Sequence, residues 1–487
     1  MRMRLSTLAV LLPFVFLAAP STAQEPGDAA MTARIRAEGL ERSQALELYH
    51  TLTDELGPRL TGSPAHDEAA AWARDRFREW GLADARLESF EFGRGWTLEK
   101  LSLEMTAPRY MPLIGYAEAW TPSVAGVLSG PVVYVGDKTA AQIEAMAPSL
   151  RSAIVLTHQP QMEFRDSDRP QPGLNDDPIR TGNPPGIGLS STTPAQQMRR
   201  LLEQAGAGVT LRPSPYRDGT VGVGGNRGTG DDAVPSIIVS AEQYNMLVRL
   251  ASGGEPPELR VELRTRYDTD TRTFNVLAEI PGTDPALRDE IVLVGAHLDS
   301  WHAALGATDN GDGAIAVMEA MRILAEVGAR PRRTIRVALW SGEEQGLLGA
   351  RAYIESHLAD AASREKLAVY LNDDPGSGAA LGFYMQGNAA AKQIFDAWLE
   401  PLRDLGVTRN VVEGIGSTDH VPFDDIGLPG FNVIKDFDAY DEQTRHTNAD
   451  FPERMSEEEL AQSAVFLAHF AWHAAQRDQR IPRKPLS

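Results

Sequence analysis

Ile291-Val-Leu-Val-Gly-Ala296 is a run of branched and small apolar residues that stops at His297. A short continuous apolar run bounded by polar residues reads as a strand buried on both faces. Downstream, residues 313–328 carry Val317, Ala320, Met321 and Leu324 on one helical face, and Thr334 to Ser341 repeats the strand pattern. Residues 345–358 read as a helix, Leu367 to Asn372 as a third strand, and residues 455–476 as a closing helix with Leu460, Ala464, Leu467 and Ala468 inward. Strands alternating with helices predict parallel pairing through helical crossovers. The expected fold class is α/β, a central mixed β-sheet flanked by helices. Open α/β sheets place their sites just past the carboxyl ends of strands. His297, Glu343-Glu344 and Asp374 fall at such ends.

In chain order, His297, Asp309, Glu343, Glu344, Asp374 and His446 supply imidazoles and carboxylates. Both are zinc donors. Two neighbouring ions need one shared carboxylate and two further ligands each, and this inventory meets that need with one glutamate left over. The loop Gly306-Ala-Thr-Asp-Asn-Gly-Asp-Gly313 has almost no bulk, which suits close backbone approach to a bridging carboxylate. The chain has no Cys, so disulfides and thiolate ligands are excluded. Sites of N and O donors also accept cobalt or manganese.

Arg2 and Arg4, the apolar run Leu8 to Ala19, and Ser21-Thr22-Ala23 read as a signal peptide over residues 1–23, with cleavage before Gln24. The apolar run is short for a membrane span. The expectation is a secreted or periplasmic protein with no membrane anchor. A net charge of −20 argues against nucleic acid or anionic membrane as partner. The remainder divides into residues 24–121, the N-terminal part of a catalytic domain, 122–262, an inserted β-rich domain, and 263–487, the main part. In the first, Ser63 suits a helix N-cap and Pro64 the first helical position, with Ala73, Phe77 and Trp80 facing a sheet. In the insert, helices are expected over 195–206 and 241–252, with a Pro, Gly, Asp and Ser-rich stretch at 161–194. Gly222-Val-Gly-Gly-Asn-Arg-Gly228 lacks the strand, helix and Gly-Lys-Ser/Thr of a phosphate loop, and is expected to be a flexible surface loop.

Weaker candidates remain. His469 and His473 stand at i, i+4, but Phe470 occupies the position where a zincin helix needs glutamate; they read as helix-face residues. Asp419-His420 is either part of a substrate pocket or a structural turn. Trp301 and His302 are placed to shape the pocket. No nucleophile elbow supports a serine hydrolase.

The segments Gly57-Pro-Arg-Leu-Thr-Gly-Ser63, Asn275-Val-Leu-Ala-Glu-Ile-Pro-Gly282, Gly295-Ala-His-Leu-Asp-Ser-Trp301, Gly306 to Gly313, Leu339-Trp-Ser-Gly-Glu-Glu-Gln-Gly346, Asp374-Pro-Gly376, Ser417-Thr-Asp-His420 and His446-Thr-Asn-Ala-Asp450 together resemble the two-zinc exopeptidases. That family includes bacterial leucyl aminopeptidases, and the resemblance is strongest to its carboxypeptidase Q branch. It extends from about residue 40 to about 475. It implies that the insert is protease-associated-like, that His297 and Asp374 hold one Zn2+, Glu344 and His446 the other, and that Asp309 bridges. It implies that Glu343 is the general base of hydrolysis by a zinc-bridging hydroxide, and that Asp299 accepts the His297 imidazole N–H. Asp450 would do likewise for the His446 turn, and Asp374 is preferred to Asp373 as ligand because Pro375-Gly376 follows it. Implied substrates are dipeptides or short peptides with a free terminus; a homodimer follows only by analogy of fold. Phe451 stands where many relatives carry Thr, and His302-Ala-Ala-Leu305 lacks the acid common in the carboxypeptidase branch, so substrate preference stays open among dipeptidase, carboxypeptidase and aminopeptidase. The rivals are aminopeptidase action on longer peptides, a single-zinc glutaminyl cyclase and a non-catalytic binding scaffold.

Overall fold

The computed structural model describes residues 27–173, 188–374 and 376–485. The expected signal peptide and part of the 161–194 stretch lie outside the described residues. Two sheets organise the chain.

The first sheet has seven strands: β1 (Ala83–Glu91), β2 (Arg272–Ile280), β3 (Ile291–His297), β4 (Thr334–Trp340), β5 (Leu367–Asn372), β6 (Ser377–Tyr384) and β7 (Gly430–Asp436), in the order β1-β2-β4-β3-β5-β7-β6. The central four, β4, β3, β5 and β7, pair in parallel, and antiparallel strands close both edges. The expected mixed α/β sheet is therefore present. Gly295 shows why β3 sits at its middle. A Cβ there would lie 2.8 Å from the Ala338 carbonyl oxygen and 2.9 Å from the Tyr370 hydroxyl, so only glycine lets the Trp340 and Tyr370 rings close beneath it, joined by a 2.6 Å Nε1–H···OH bond.

Helix α1 (Pro64–Glu79) starts as read, with the Ser63 side chain accepting from the His66 N–H. Helix α2 (Asp312–Glu326) makes the crossover from β3 to β4, and α3 (Glu457–Gln476) closes the core behind a Ser456/Glu459 capping box. On α3, His469 Nε2 donates to the Trp398 carbonyl at 2.7 Å. It is a helix-face residue, as expected, and that face is buried in the core. Among the described residues, no helix is long and apolar enough to cross a membrane.

The second sheet orders Met111–Pro112, Gly95–Ala107, Glu258–Asp268, Val127–Tyr134, Ile154–Leu156, Val209–Pro213, Ser236–Val239 and Gly115–Ala117. It extends beyond residues 122–262 at both ends, because Gly95–Ala107 pairs with Glu258–Asp268, which in turn pairs with Val127–Tyr134. Helices Ala195–Ala205 and Ala241–Ser252 pack with it where helices were expected.

One buried ion cluster ties elements of the first sheet to α2. Lys435 on β7 places Nζ 3.0 Å from Asp312 Oδ2, at the start of α2, and 3.4 Å from Asp373 Oδ1, just past β5. Removing one member of such a cluster leaves uncompensated buried charge and costs about 3–5 kcal/mol. Lys435→Met is expected to lower the unfolding free energy by about that amount in urea titrations, and Asp312→Asn on that background to recover part of it. A loss under about 1 kcal/mol would show that water already screens the trio.

Candidate metal centre

The carboxyl ends of the four parallel strands converge on one set of side chains. His297 ends β3, Glu343 and Glu344 follow β4, Asp373 and Asp374 follow β5, and His446 lies on the turn after β7. His297 Nε2 stands 3.4 Å from Asp309 Oδ1 and 3.6 Å from Asp374 Oδ1. His446 Nε2 stands 2.9 Å from Glu344 Oε2 and 3.2 Å from Asp309 Oδ2. Two triads result, His297-Asp309-Asp374 and Asp309-Glu344-His446, each with ligand atoms within 4.8 Å of one another. Asp309 belongs to both, one oxygen toward each.

These groups fit divalent cations. His297 Nε2, Asp309 Oδ2 and Glu344 Oε1 are buried and make no hydrogen bond among the described residues. Burial pushes the Glu343 carboxyl well above its usual range, with Asp374 and Glu344 adding to the effect against His297. The Glu344 carboxyl rises through burial and Asp309, opposed by His446. Against burial, Glu344 and Asp309 push the His446 imidazole up to about 9. Acids crowded in low dielectric retain protons unless another positive charge arrives.

The supporting groups differ in part from expectation. His297 Nδ1 donates to the main-chain carbonyl of Asp299 at 2.9 Å, while the Asp299 carboxylate lies 3.6 Å away. A carbonyl can only accept, so Nδ1 carries the hydrogen and Nε2 presents its lone pair to the cluster. The Asp299 carboxylate accepts instead from the N–H groups of Glu343 at 3.2 Å and Glu344 at 3.4 Å. Asp450 braces the bridging loop rather than the His446 turn: Oδ1 accepts from the Thr308 N–H at 2.6 Å and Oδ2 from the Asp309 N–H at 3.2 Å. Asp373 faces Lys435 while Asp374 joins the cluster.

Asp419 and His420 are fully buried, and the Asp419 oxygens have no hydrogen-bond partner among the described residues. Ser417, not Asp419, lines the cleft. Trp301 packs against His446 with ring centres 6.0 Å apart. His302 turns away and bonds the Ala117 carbonyl at 2.8 Å in the second sheet.

Two supports carried no readable role in the sequence. Residues 221–223, expected in a flexible surface loop, grip the ligand-bearing turn. The Val223 N–H donates to the His446 carbonyl at 2.7 Å, and the Val221 N–H to Asn448 Oδ1 at 2.7 Å. His446 itself has φ +59°, a left-handed backbone that needs such support. Arg59 is fully buried, and its guanidinium donates to the carbonyls of Gly57, Leu298, Leu305 and Gly306 at 2.8–2.9 Å. It ties the loop after β3 to the bridging loop. Its acceptors are main-chain oxygens, which no sequence pattern marks.

The cleft beside the triads has a volume of about 360 Å³ and is lined by Asp309, Glu343, Glu344, Asp374 and His446 together with arginines. A larger cavity of about 420 Å³, in the second sheet beside Ala195–Ala205, holds none of these groups. Chemistry, not size, marks the cleft as the site.

Comparison with known proteins agrees with the geometry. Residues 275–471, which include every member of both triads, match Peptidase family M28. The chain is 26% identical to Carboxypeptidase Q of Mus musculus over 451 residues, 91% of this chain and 88% of that one. It shares its fold with a Peptidase M28 precursor from Shewanella amazonensis (TM-score 0.69, 24% identity, 94% of this chain and 99% of that one). It shares it also with BSAP, a zinc aminopeptidase from Bacillus subtilis (TM-score 0.61, 19% identity, 89% of this chain and 95% of that one). Site and similarities define the class: this is a metallo-exopeptidase. Within that class the match over residues 275–471 fits Peptidase family M28, the zinc exopeptidase family that the motifs implied.

Arg59 gives this site a structural test. Hydrogen bonds to a charged group contribute about 1.5–3 kcal/mol. Arg59→Met is expected to lower the unfolding free energy by about 3 kcal/mol or more in denaturant titrations read by tryptophan fluorescence. A loss under about 1 kcal/mol would show that the two loops keep their places without it.

Proposed function

We propose that this chain is a secreted exopeptidase that hydrolyses dipeptides or short peptides with a free terminus, with two Zn2+ ions held by the paired triads. The observation that carries the reading is Asp309, whose two oxygens face different histidines. In this reading His297 and Asp374 hold one ion, Glu344 and His446 the other, and Asp309 both. When bound, the ions supply a water acidified toward neutrality and positive charge for the scissile carbonyl oxygen.

The chain's own residues do the rest. Glu343 belongs to neither triad, yet its Oε2 lies 3.9 Å from His297 Nε2. Its buried carboxyl holds a proton more readily than an ordinary glutamate. It therefore suits a base that takes the proton of the attacking water and hands it to the departing amine. Asp299 orients two groups at once: its carbonyl fixes the His297 tautomer, and its carboxylate holds the Glu343–Glu344 backbone. Asp450 holds the backbone of Thr308 and Asp309 in the same way. The secreted location rests on the Arg2 to Ala23 pattern in the sequence.

The test pairs metal content with a substrate panel of a free dipeptide, an N-blocked dipeptide and an aminoacyl anilide. Two zincs per chain and cleavage of the free dipeptide alone are expected. Rapid anilide cleavage would move the protein to aminopeptidase action, and one zinc without hydrolysis would remove the bridging role of Asp309. Glu343→Gln is expected to retain both metals and lose at least about a hundredfold in turnover. Loss of metal in that variant would reassign Glu343 as a ligand.

A further inference from the structure

Two arginines of the cleft lining, Arg445 and Arg351, form no ion pair among the described residues. Arg445 precedes His446 and lines the cleft with Tyr440. Its main chain is engaged: the N–H donates to the Tyr440 carbonyl at 2.8 Å, and the carbonyl accepts from the Tyr216 hydroxyl at 3.2 Å. Among the described residues, its guanidinium makes no hydrogen bond or ion pair. Arg169, in the same lining, is the contrast. Its guanidinium forks onto Asp441, with Nε–Oδ2 at 2.5 Å and Nη2–Oδ1 at 2.6 Å. Asp441, which also lies within electrostatic reach of Arg445, is thus hydrogen-bonded to Arg169 alone of the two. Arg351 also lines the cleft, and only its Nε is engaged, with the Gly346 carbonyl at 3.3 Å.

An unpaired guanidinium facing a cleft matches a carboxylate, because its planar donors meet both oxygens at once. Asp309 and Glu344 lie within electrostatic reach of Arg445, but the proposed reading commits them to metal. In a chain of net charge −20, Arg445 and Arg351 place two positive charges on the cleft lining.

We propose that Arg445, assisted by Arg351, binds the free C-terminal carboxylate of the substrate, which makes the enzyme a dipeptidase or carboxypeptidase rather than an aminopeptidase. The inference rests on the exopeptidase reading above and names its substrate class. The carboxylate carbon of a dipeptide is three bonds from the scissile carbonyl carbon, under about 4 Å. A scissile carbonyl held at the triads therefore keeps its carboxylate inside the same cleft. A C-terminal amide lacks the charge and one of the two acceptor oxygens.

The test compares zinc-loaded wild type, Arg445→Met and Arg445→Lys on L-alanyl-L-leucine and its C-terminal amide, with metal content measured for each. Wild type is expected to prefer the free acid by at least about tenfold in kcat/KM, the worth of one charge-assisted pair. Arg445→Met is expected to remove that preference through KM, with a loss on the acid at least about tenfold greater than on the amide, and Arg445→Lys to restore part of it. In the zinc-loaded Glu343→Gln background, Arg445→Met is expected to weaken equilibrium binding of the free acid by about tenfold. Equal losses on acid and amide, or a wild type without acid preference, would overturn the role of Arg445. If Arg445→Met loses metal, the wild-type preference and the Arg445→Lys variant decide alone. A wild type that holds two zincs and cleaves neither compound would overturn the exopeptidase reading instead.

Discussion

Like charge is concentrated at one sheet edge, and the rest of the structure answers to it. Asp299, Asp309, Glu343 and Asp374 are all buried there, and the Glu344 side chain is nearly so. An uncompensated carboxylate in low dielectric neutralises itself or seeks a cation. Two buried cations close by are otherwise engaged, Lys435 with Asp312 and Asp373, and Arg59 with carbonyl oxygens. Much of the work of holding the acids against their own repulsion therefore falls to groups that do not neutralise them. Main-chain N–H groups do this on Asp299 and Asp450, and carbonyl acceptors do it for the His297 ring. The bridging loop follows from the same demand. A Cβ on Gly313 would lie 2.3 Å from Asn310 Oδ1 and 2.5 Å from the Asp373 carbonyl, so the loop closes only with glycine there.

The two sheets divide the work. The first sets the positions of His297, Glu343, Glu344 and Asp374 by the lengths of adjacent parallel strands. Such positions are stiff, because each strand end is fixed by its ladder. His446 is different, since it lies on an irregular turn after β7 with a left-handed backbone. Residues 221–223, on a loop of the second sheet, supply the missing rigidity by bonding to residues 446 and 448. Arg445 is part of the same turn. One gripped segment therefore carries both a candidate metal ligand and the candidate carboxylate anchor, so a movement between the sheets would act on both together.

The sequence made legible what is local or periodic. Strand–helix alternation around Ile291 to Asn372 carried the fold, and the ligand inventory pointed to the edge where these side chains meet. Ser63 was readable as a cap because capping is settled within four residues. The rest was hidden because it depends on which atom of a residue is used. Asp299 was expected to act on His297 through its carboxylate, but its carbonyl is nearer and the carboxylate serves the next strand's loop. Asp450 was placed on the wrong turn for the same reason. Residues 221–223 read as loose because a glycine-rich segment shows no partner until the His446 turn is beside it. Arg445 showed nothing at all, since lacking a partner is visible only in three dimensions.

Asp373 and Asp374 show how the fold keeps stability and chemistry apart at close quarters. They are adjacent acids past the end of β5, and successive residues of an extended chain point to opposite sides. Asp373 turns to Lys435 and Asp312, where it locks α2 and β7 to the sheet. Asp374 turns to His297. Lys435 thereby keeps one negative charge from adding to an edge already crowded with them. If both acids faced the triads, the proton affinity of the whole cluster would rise, and a cation would have to displace more protons to enter. The buried lysine is thus an electrostatic partition: it lets the sheet end in two carboxylates while presenting only one of them to the site.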